Sequence, residues 1–169
     1  MKWLLIAVGA LILFAGVMAL VGAMLPRAHR ATRRARFRQS PEAVYAVVAG
    51  PPDWRSDIQG SGSLPERDGH KQWWESSQGR RITYELVEDT PPVRRVTRIA
   101  DRSLPFGGTW TLEIAPDNQG AMLRVTEDGE IYNVIFRFMA RFIFGYTRSI
   151  EGYLRDLGRK FGETVQIEE

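Results

Sequence analysis

The sequence predicts an α+β fold: an antiparallel sheet covered by a long C-terminal helix and preceded by one transmembrane helix. Three observations across the 169 residues lead there. Residues 3–25 form an unbroken apolar run. Residues 58–129 divide into short period-two segments separated by Gly, Pro and Asp-Gly punctuation. From Tyr132 onward the apolar residues recur at threes and fours. Period two marks half-buried strands, and a period near 3.6 marks one face of a helix. The strands are short and their connections local, which suits hairpins and leaves no room for parallel crossovers. A sheet with one apolar face must bury that face, and the long helix is the partner available.

The first run, WLLIAVGALILFAGVMALVGAML, holds no charged or strongly polar side chain over 23 residues. At a rise of 1.5 Å per residue, about 20 helical residues cross a hydrocarbon core of roughly 30 Å. The apolar part of a cleaved secretory signal is shorter, about 7–15 residues, and ends at a small-x-small site. Here the run is longer and leads into Pro26 and an arginine cluster. Residues 1–26 are therefore expected to form a membrane anchor that meets the bilayer through residues 3–25. Gly9, Gly16 and Gly22 lack GxxxG spacing, so pairing through that motif is not expected.

The net charge of +3 combines unlike parts. Lys2 is the one charged side chain in residues 1–25. Residues 27–38 carry six arginines (Arg27, Arg30, Arg33, Arg34, Arg36 and Arg38) and no acid. From residue 39 onward there are 16 basic and 20 acidic residues, a net of −4. A basic footprint across the whole domain is thereby excluded, and no nucleic-acid partner is expected. Six arginines after the span, against Lys2 before it, predict a single-pass protein of the cell membrane with its C-terminal domain in the cytoplasm. The segment Arg27–Arg38 is also expected to meet anionic lipid headgroups. The expected division is an anchor at 1–26, a basic juxtamembrane segment at 27–38 leading into the first strand, a folded domain at 32–161 and a polar tail at 162–169.

Within the folded domain, Ala31–Arg38 ends in a strand-like alternation. Ser40-Pro41-Glu42 starts a short helix: Ser40 caps, and Pro41 lacks an N–H that would be unpaired there anyway. Gly50-Pro51-Pro52 stops it. A second helical turn at 53–57 carries Trp54. Six strands follow: Ile58–Leu64, Lys71–Ser77, Arg80–Glu88, Val93–Ala100, Thr109–Ala115 and Ala121–Gly129. Asp68-Gly69 and Gln78-Gly79 supply hairpin turns. In TWTLEIA the period of two sets Trp110, Leu112 and Ile114 on one face. From Tyr132 the spacing predicts one amphipathic helix of about 25–29 residues, ended by Phe161-Gly162.

Chemistry-bearing residues are sparse. There is no Cys, and the two histidines are His29 and His70. No nucleophile elbow, phosphate loop or zinc motif occurs. No catalytic residue, metal or cofactor is assigned. Glu127 follows an alternating apolar set; it either faces an interior space, where burial would raise its pKa, or is a strand-end residue that is solvated or paired with Arg98 or Arg124. Arg98 is open to two roles in the same way, an anion contact or an outer-face residue.

The order of these segments carries a resemblance. SPEAVYAVVAGPPDW after a basic-apolar strand, the Trp-rich QWWE hairpin, ITYELVEDTPPVRRVTRI, LPFGGTWTLEIAP, and RVTEDGEI leading into NVIFRFMARFIFG together resemble the START-like superfamily of helix-grip domains. The likeness is to the polyketide cyclase/dehydrase-like, or SRPBCC, group, and it covers about residues 32–161. It implies a START/Bet v 1-like helix-grip fold, with a curved antiparallel sheet around the C-terminal helix and an apolar cavity between them. Candidate lining residues are Trp54, Trp73, Tyr84, Arg98, Trp110, Glu127, Phe138 and Phe142, with Trp73 and Trp74 not separable by pattern. The alternative is that these aromatics fill the interior.

Fold does not settle function. The first expectation is a membrane-tethered domain holding a lipid or another hydrophobic small molecule. The second is a cyclase or dehydratase in which Glu127 works with Tyr84 or Arg98. The third is a protein-interaction module with a filled core, whose protein partner the sequence does not identify.

Overall fold

The computed structural model describes residues 1–169. Helix α1 (Lys2–Met24) projects from the domain and meets it only near its C-terminal end, where Met18 and Gly22 are buried. After three intervening residues strand β1 (Ala28–Phe37) begins. Helix α2 (Pro41–Ala49) follows, capped by the Ser40 hydroxyl, which accepts from the Ala43 N–H. A single turn at Pro52–Trp54 leads into β2 (Ile58–Arg67), β3 (His70–Ser77), β4 (Arg80–Thr90), β5 (Arg94–Ile99), β6 (Phe106–Asp117) and β7 (Gly120–Ile131). The six strands expected between 58 and 129 are present. Two tight turns use left-handed backbone at Asp68-Gly69 and Gln78-Gly79, where φ lies between 51° and 77°. That conformation suits Gly and tolerates few other residues.

All the strands join one antiparallel sheet in the order β2-β3-β4-β5-β6-β7-β1-β8, where β8 is Ile167–Glu168. The sheet is open, since β2 and β8 are edges that do not pair with each other. The resemblance implied a curved sheet around the helix, and the antiparallel sheet is present without being strongly curled or closed. Bulges are what bend a sheet sharply, and the register shifts are confined to the β2–β3 and β4–β5 ladders. The tail is also more structured than its polar composition implied: Ile167 pairs with Ala35 and packs on the core.

The C-terminal helix differs most from expectation. Instead of one helix from Tyr132, the chain forms α3 (Val134–Met139), a π-helical turn (Ala140–Phe144) and, after a break, α4 (Arg148–Lys160). Gly145 makes the break, with φ 74° and ψ 160°, outside any helical conformation. A glycine at a helix C-terminus adopts such angles without a Cβ clash. The apolar spacing runs across it because each piece has its own apolar face.

On α4 that face is Ile150, Leu154 and Leu157, all fully buried. It packs on Ala35 and Phe37 of β1, Leu112 and Ile114 of β6, and Leu123 and Val125 of β7, with Val44 of α2 closing one end. A helix is about 10–12 Å across and strands lie about 4.8 Å apart. One helix therefore covers two or three strands. The inner face of β3, β4 and β5 is left without a helix over it.

The arginines after α1 lie mostly within β1, where they hold the fold as well as flank the apolar run. Arg30, Arg33, Arg34, Arg36 and Arg38 each reach a carboxylate, on Asp128, Glu151, Glu168, Asp117 and Glu163 respectively. Most of these pairs are solvent-exposed and worth little singly. Together they hold the acidic residues of β6, β7, α4 and the tail against β1.

Replacing Leu154 by Ala should lower stability by about 2–5 kcal/mol, the usual range for a fully buried Leu. Urea unfolding of the full chain in detergent, followed by tryptophan fluorescence, reads this as a lower midpoint with an unchanged slope.

Candidate functional site

The uncovered half of the sheet forms one side of a cleft of about 1120 Å³. Strands β3 to β6 make its floor, α4 its wall, and the turn around Trp54 part of its rim. Trp73 stacks on Tyr84 across the β3–β4 ladder, with ring centroids 5.7 Å apart. Tyr153 of α4 receives Trp54 and Trp110 edge-on, at 5.0 and 5.5 Å. These rings line an apolar floor and corner without closing the space.

A fixed ion pair lies among these rings. The Arg55 guanidinium donates to Glu75 at 2.8 Å and to Asp57 at 2.8 Å, and lies 5.6 Å from the centre of the Tyr153 ring. The Trp73 indole N–H donates to the other oxygen of Glu75 at 2.9 Å. Glu75 is buried, and so needs both donors. Burial alone would lower the pKa of Arg55, but the charges of Glu75 and Asp57 outweigh it and hold the guanidinium above its ordinary range. Burial, reinforced by the Glu75 charge, pushes the Tyr84 hydroxyl up from its ordinary value of 10.0. Burial does the same to Tyr153, against the opposing charge of Arg55. Both hydroxyls stay neutral as possible donors. On α4, Asp156 accepts the Ser56 N–H at 2.5 Å and pairs with Arg159, which ties the rim turn to the wall.

Glu127 occupies the other end of the cleft. Ser149 donates to it at 3.1 Å, and His29 lies 3.7 Å away through Nε2. The His29 ring stacks on Tyr146 at 4.2 Å, and its Nδ1 is buried with no hydrogen-bond partner. His29 faces Gly129 across the β1–β7 ladder, and a Cβ on Gly129 would overlap the imidazole. That glycine makes the room the ring occupies.

Of the eight residues expected at a pocket, Trp54, Trp73, Tyr84, Trp110 and Glu127 line the cleft. Arg98 does not: it has the opposite parity to Arg95, Thr97 and Ile99, and pairs with Glu85 at 2.5 Å on the outer face. Phe138 and Phe142 also lie elsewhere, 4.9 Å apart before the Gly145 break. Phe144, just before that break, lines the cleft where a continuous helix was expected to present them. Neither Arg98 nor Arg124 is the partner of Glu127. The ambiguity between the two tryptophans resolves with Trp73 inward and Trp74 outward, where Gly60 and Gly62 of β2 make space for its ring.

Arg55, Glu75, Tyr153 and His29 had no assigned role at the site. Glu75 shares the parity of Trp73, and His29 shares that of Ala35 and Phe37, so alternation held a signal for both. Arg55 follows a single helical turn and has no periodicity to mark it.

No family model matches the chain, and no curated protein matches it. Solved structures do. A protein of Mesorhizobium loti aligns with 12% identity over 79% of this chain and 96% of its own, at a TM-score of 0.60. One from Rhodobacter sphaeroides aligns with 20% identity over 78% and 91%, at 0.56. Norcoclaurine synthase from Thalictrum flavum aligns with 8% identity over 79% and 86%, at 0.60. At these identities the likeness establishes the fold alone: the chain shares the helix-grip fold of these proteins, an antiparallel sheet with a C-terminal helix packed on it.

Two outcomes follow. Arg55→Met strands the Glu75 carboxylate and should cost about 3 kcal/mol, while Arg55→Met with Glu75→Met should recover most of it; urea unfolding of wild type, both single variants and the double variant measures the cycle. The raised Tyr84 and Tyr153 favour the folded state fully below their ordinary pKa, and that contribution drains as pH rises beyond it. Stability should therefore fall as pH rises through about 10 and beyond, and fall less in Tyr84→Phe.

Proposed function

We propose that the protein is a membrane-tethered helix-grip domain that binds a lipid or another amphipathic small molecule in its cleft. The observation that carries this reading is the open space itself. Small-molecule sites are mostly apolar concavities of about 300–1,000 Å³ with a few placed polar groups. The cleft is slightly larger than that, with Trp73, Tyr84 and Trp110 supplying apolar surface and Arg55–Glu75 a fixed ion pair among its polar groups. Burying apolar ligand surface there contributes about 25 cal/mol per Å², and the ion pair orients the ligand's polar end. An unfilled cleft also weighs against an interaction module with a packed interior.

The tether rests on α1. It is 23 residues long, has a mean hydropathy of 2.9 over its most apolar window, and its residues before Met18 are exposed on every side. With six arginines just beyond it, the positive-inside rule favours a cytoplasmic domain.

A second reading, an enzyme of cyclase or dehydratase type, is favoured by one feature. Glu127 faces the cleft with His29 and Ser149 beside it, which is an acid–base group with partners. Arg98, on the outer face, has no part in it.

Full-length protein purified in detergent and extracted with organic solvent should release an amphiphile in near-stoichiometric amount, identified by mass spectrometry. Thr97→Arg, which projects a long cation from the floor of β5 into the cleft, should retain far less while still folding. Equal traces from both proteins, or none from either, would remove the binding reading. Glu127→Gln should leave retention intact, and turnover of the released compound by wild type but not by this variant would favour the enzyme.

A further inference from the structure

We infer that the segment from α3 through the π-helical turn is a second membrane contact, seated at the headgroup boundary, and that it turns the adjoining end of the cleft toward the lipid surface. This rests on the reading of α1 as a membrane span.

Depth comes first. Twenty-three helical residues extend about 35 Å, and the hydrocarbon core takes about 30 Å of that. Only about three residues of α1 can then lie outside the core, so its last two turns are at or just inside the boundary. Those are the turns that α3 packs against. Met18 and Gly22 are the buried positions of α1, and a Cβ on Gly22 would overlap the Val134 carbonyl. The approach is a backbone-to-backbone contact that only glycine allows, and it sets α3 at the depth of those turns.

Arg137 fixes the contact. Its guanidinium donates to the carbonyls of Gly22 and Leu25 at the end of α1, at 3.3 and 3.2 Å, and to those of Ile131 and Tyr132 at 2.9 and 3.0 Å. It is buried, with no carboxylate against it. An arginine near lipid is tolerated when backbone carbonyls satisfy it, and here it also caps the negative end of the α1 dipole. The anchor and the domain are thereby joined in one orientation.

The surface so positioned is apolar. Phe136, Phe142, Ile143 and Phe144 are 43–58% exposed. Large apolar groups clustered this way on a surface mark an interaction site. The bilayer is the occupant favoured, because this patch continues the exposed apolar surface of α1. Arg141, exposed within the segment, can lay its stem on lipid and keep its charge in the headgroups.

The sheet sets the direction of the cleft. Strand β1 begins, and β7 ends, beside the anchor. The antiparallel order puts the β3–β4 turn and the β5–β6 loop at that same end. Gln78, Phe106, Phe144 and Arg148 line this end of the cleft. Arg27, Arg80 and Arg102 are exposed around it. The nearby acids Asp101 and Glu130 accept from the Ser103 and Tyr132 hydroxyls and keep their charge, and Arg27, Arg80, Arg102 and Arg148 outnumber them. Anionic headgroups are the complement of that rim.

The chain has no cysteine, so single-cysteine variants labelled with an environment-sensitive fluorophore each report one site. Leu11→Cys, Phe142→Cys, Gln78→Cys and Asn118→Cys are placed in vesicles of phosphatidylcholine and phosphatidylglycerol. Quenching is compared for nitroxides carried deep in the acyl chain and at the headgroup. Leu11→Cys should lose most emission to the deep quencher, and Phe142→Cys and Gln78→Cys to the headgroup quencher. Asn118→Cys, on the β6–β7 turn at the far end, should lose little to either. If Leu11→Cys is quenched deeply and Phe142→Cys behaves like Asn118→Cys, the second contact is overturned and the anchor stands. If Phe142→Cys is quenched and Gln78→Cys is not, the orientation of the cleft is overturned. If Leu11→Cys escapes the deep quencher, the anchor and everything built on it fall together.

Discussion

The width of a single helix governs this structure. Helix α4 buries Ile150, Leu154 and Leu157 completely, and it does so on β1, β6 and β7. A helix spans about 10–12 Å and cannot also cover β3, β4 and β5 when strands are spaced at about 4.8 Å. The core is accordingly one-sided, and the cleft is the part of the inner face that no helix reaches. Trp73, Glu75 and Tyr84 belong to strands that must keep their shape without a helix packed on them. The Arg55–Glu75–Trp73 linkage does part of that, since it joins the rim turn to β3 through three side chains.

The same asymmetry explains what the sequence made legible. Strands with one dry face alternate cleanly, so Trp110, Leu112 and Ile114 could be placed by parity alone. Where the inner face meets a half-wet cleft the alternation weakens. Trp73 and Trp74 are adjacent large residues, and only the glycines of the neighbouring strand separate their roles. Gly60 and Gly62 lie on β2, so that information is a matter of strand pairing. Arg98 illustrates the converse: its parity was visible, but its partner Glu85 sits on another strand.

The break at Gly145 is the clearest case of local chemistry overruling periodicity. Apolar spacing is continuous from Val134 to Leu157, yet the two halves face different surroundings. The first half presents Phe142 and Ile143 outward and packs beside α1, whereas the second packs on the sheet. Periodicity records that a face is apolar and is silent about what covers it. For Phe138 and Phe142 this decided whether they would line the cleft. The left-handed glycine in the middle was the available sign that the helix changes partner there.

Only Leu25, Pro26 and Arg27 separate α1 from β1, and β1 pairs with β7 over ten consecutive residues. A load applied through the first helix therefore enters the sheet along the axis of an interior strand. It is shared by that whole ladder in shear, so the hydrogen bonds must fail together instead of opening one at a time from an end. The linkage is mechanically stiff in the direction in which a tether would pull. An equal load applied at the C-terminus would meet β8, a two-residue edge strand, and peel it away first.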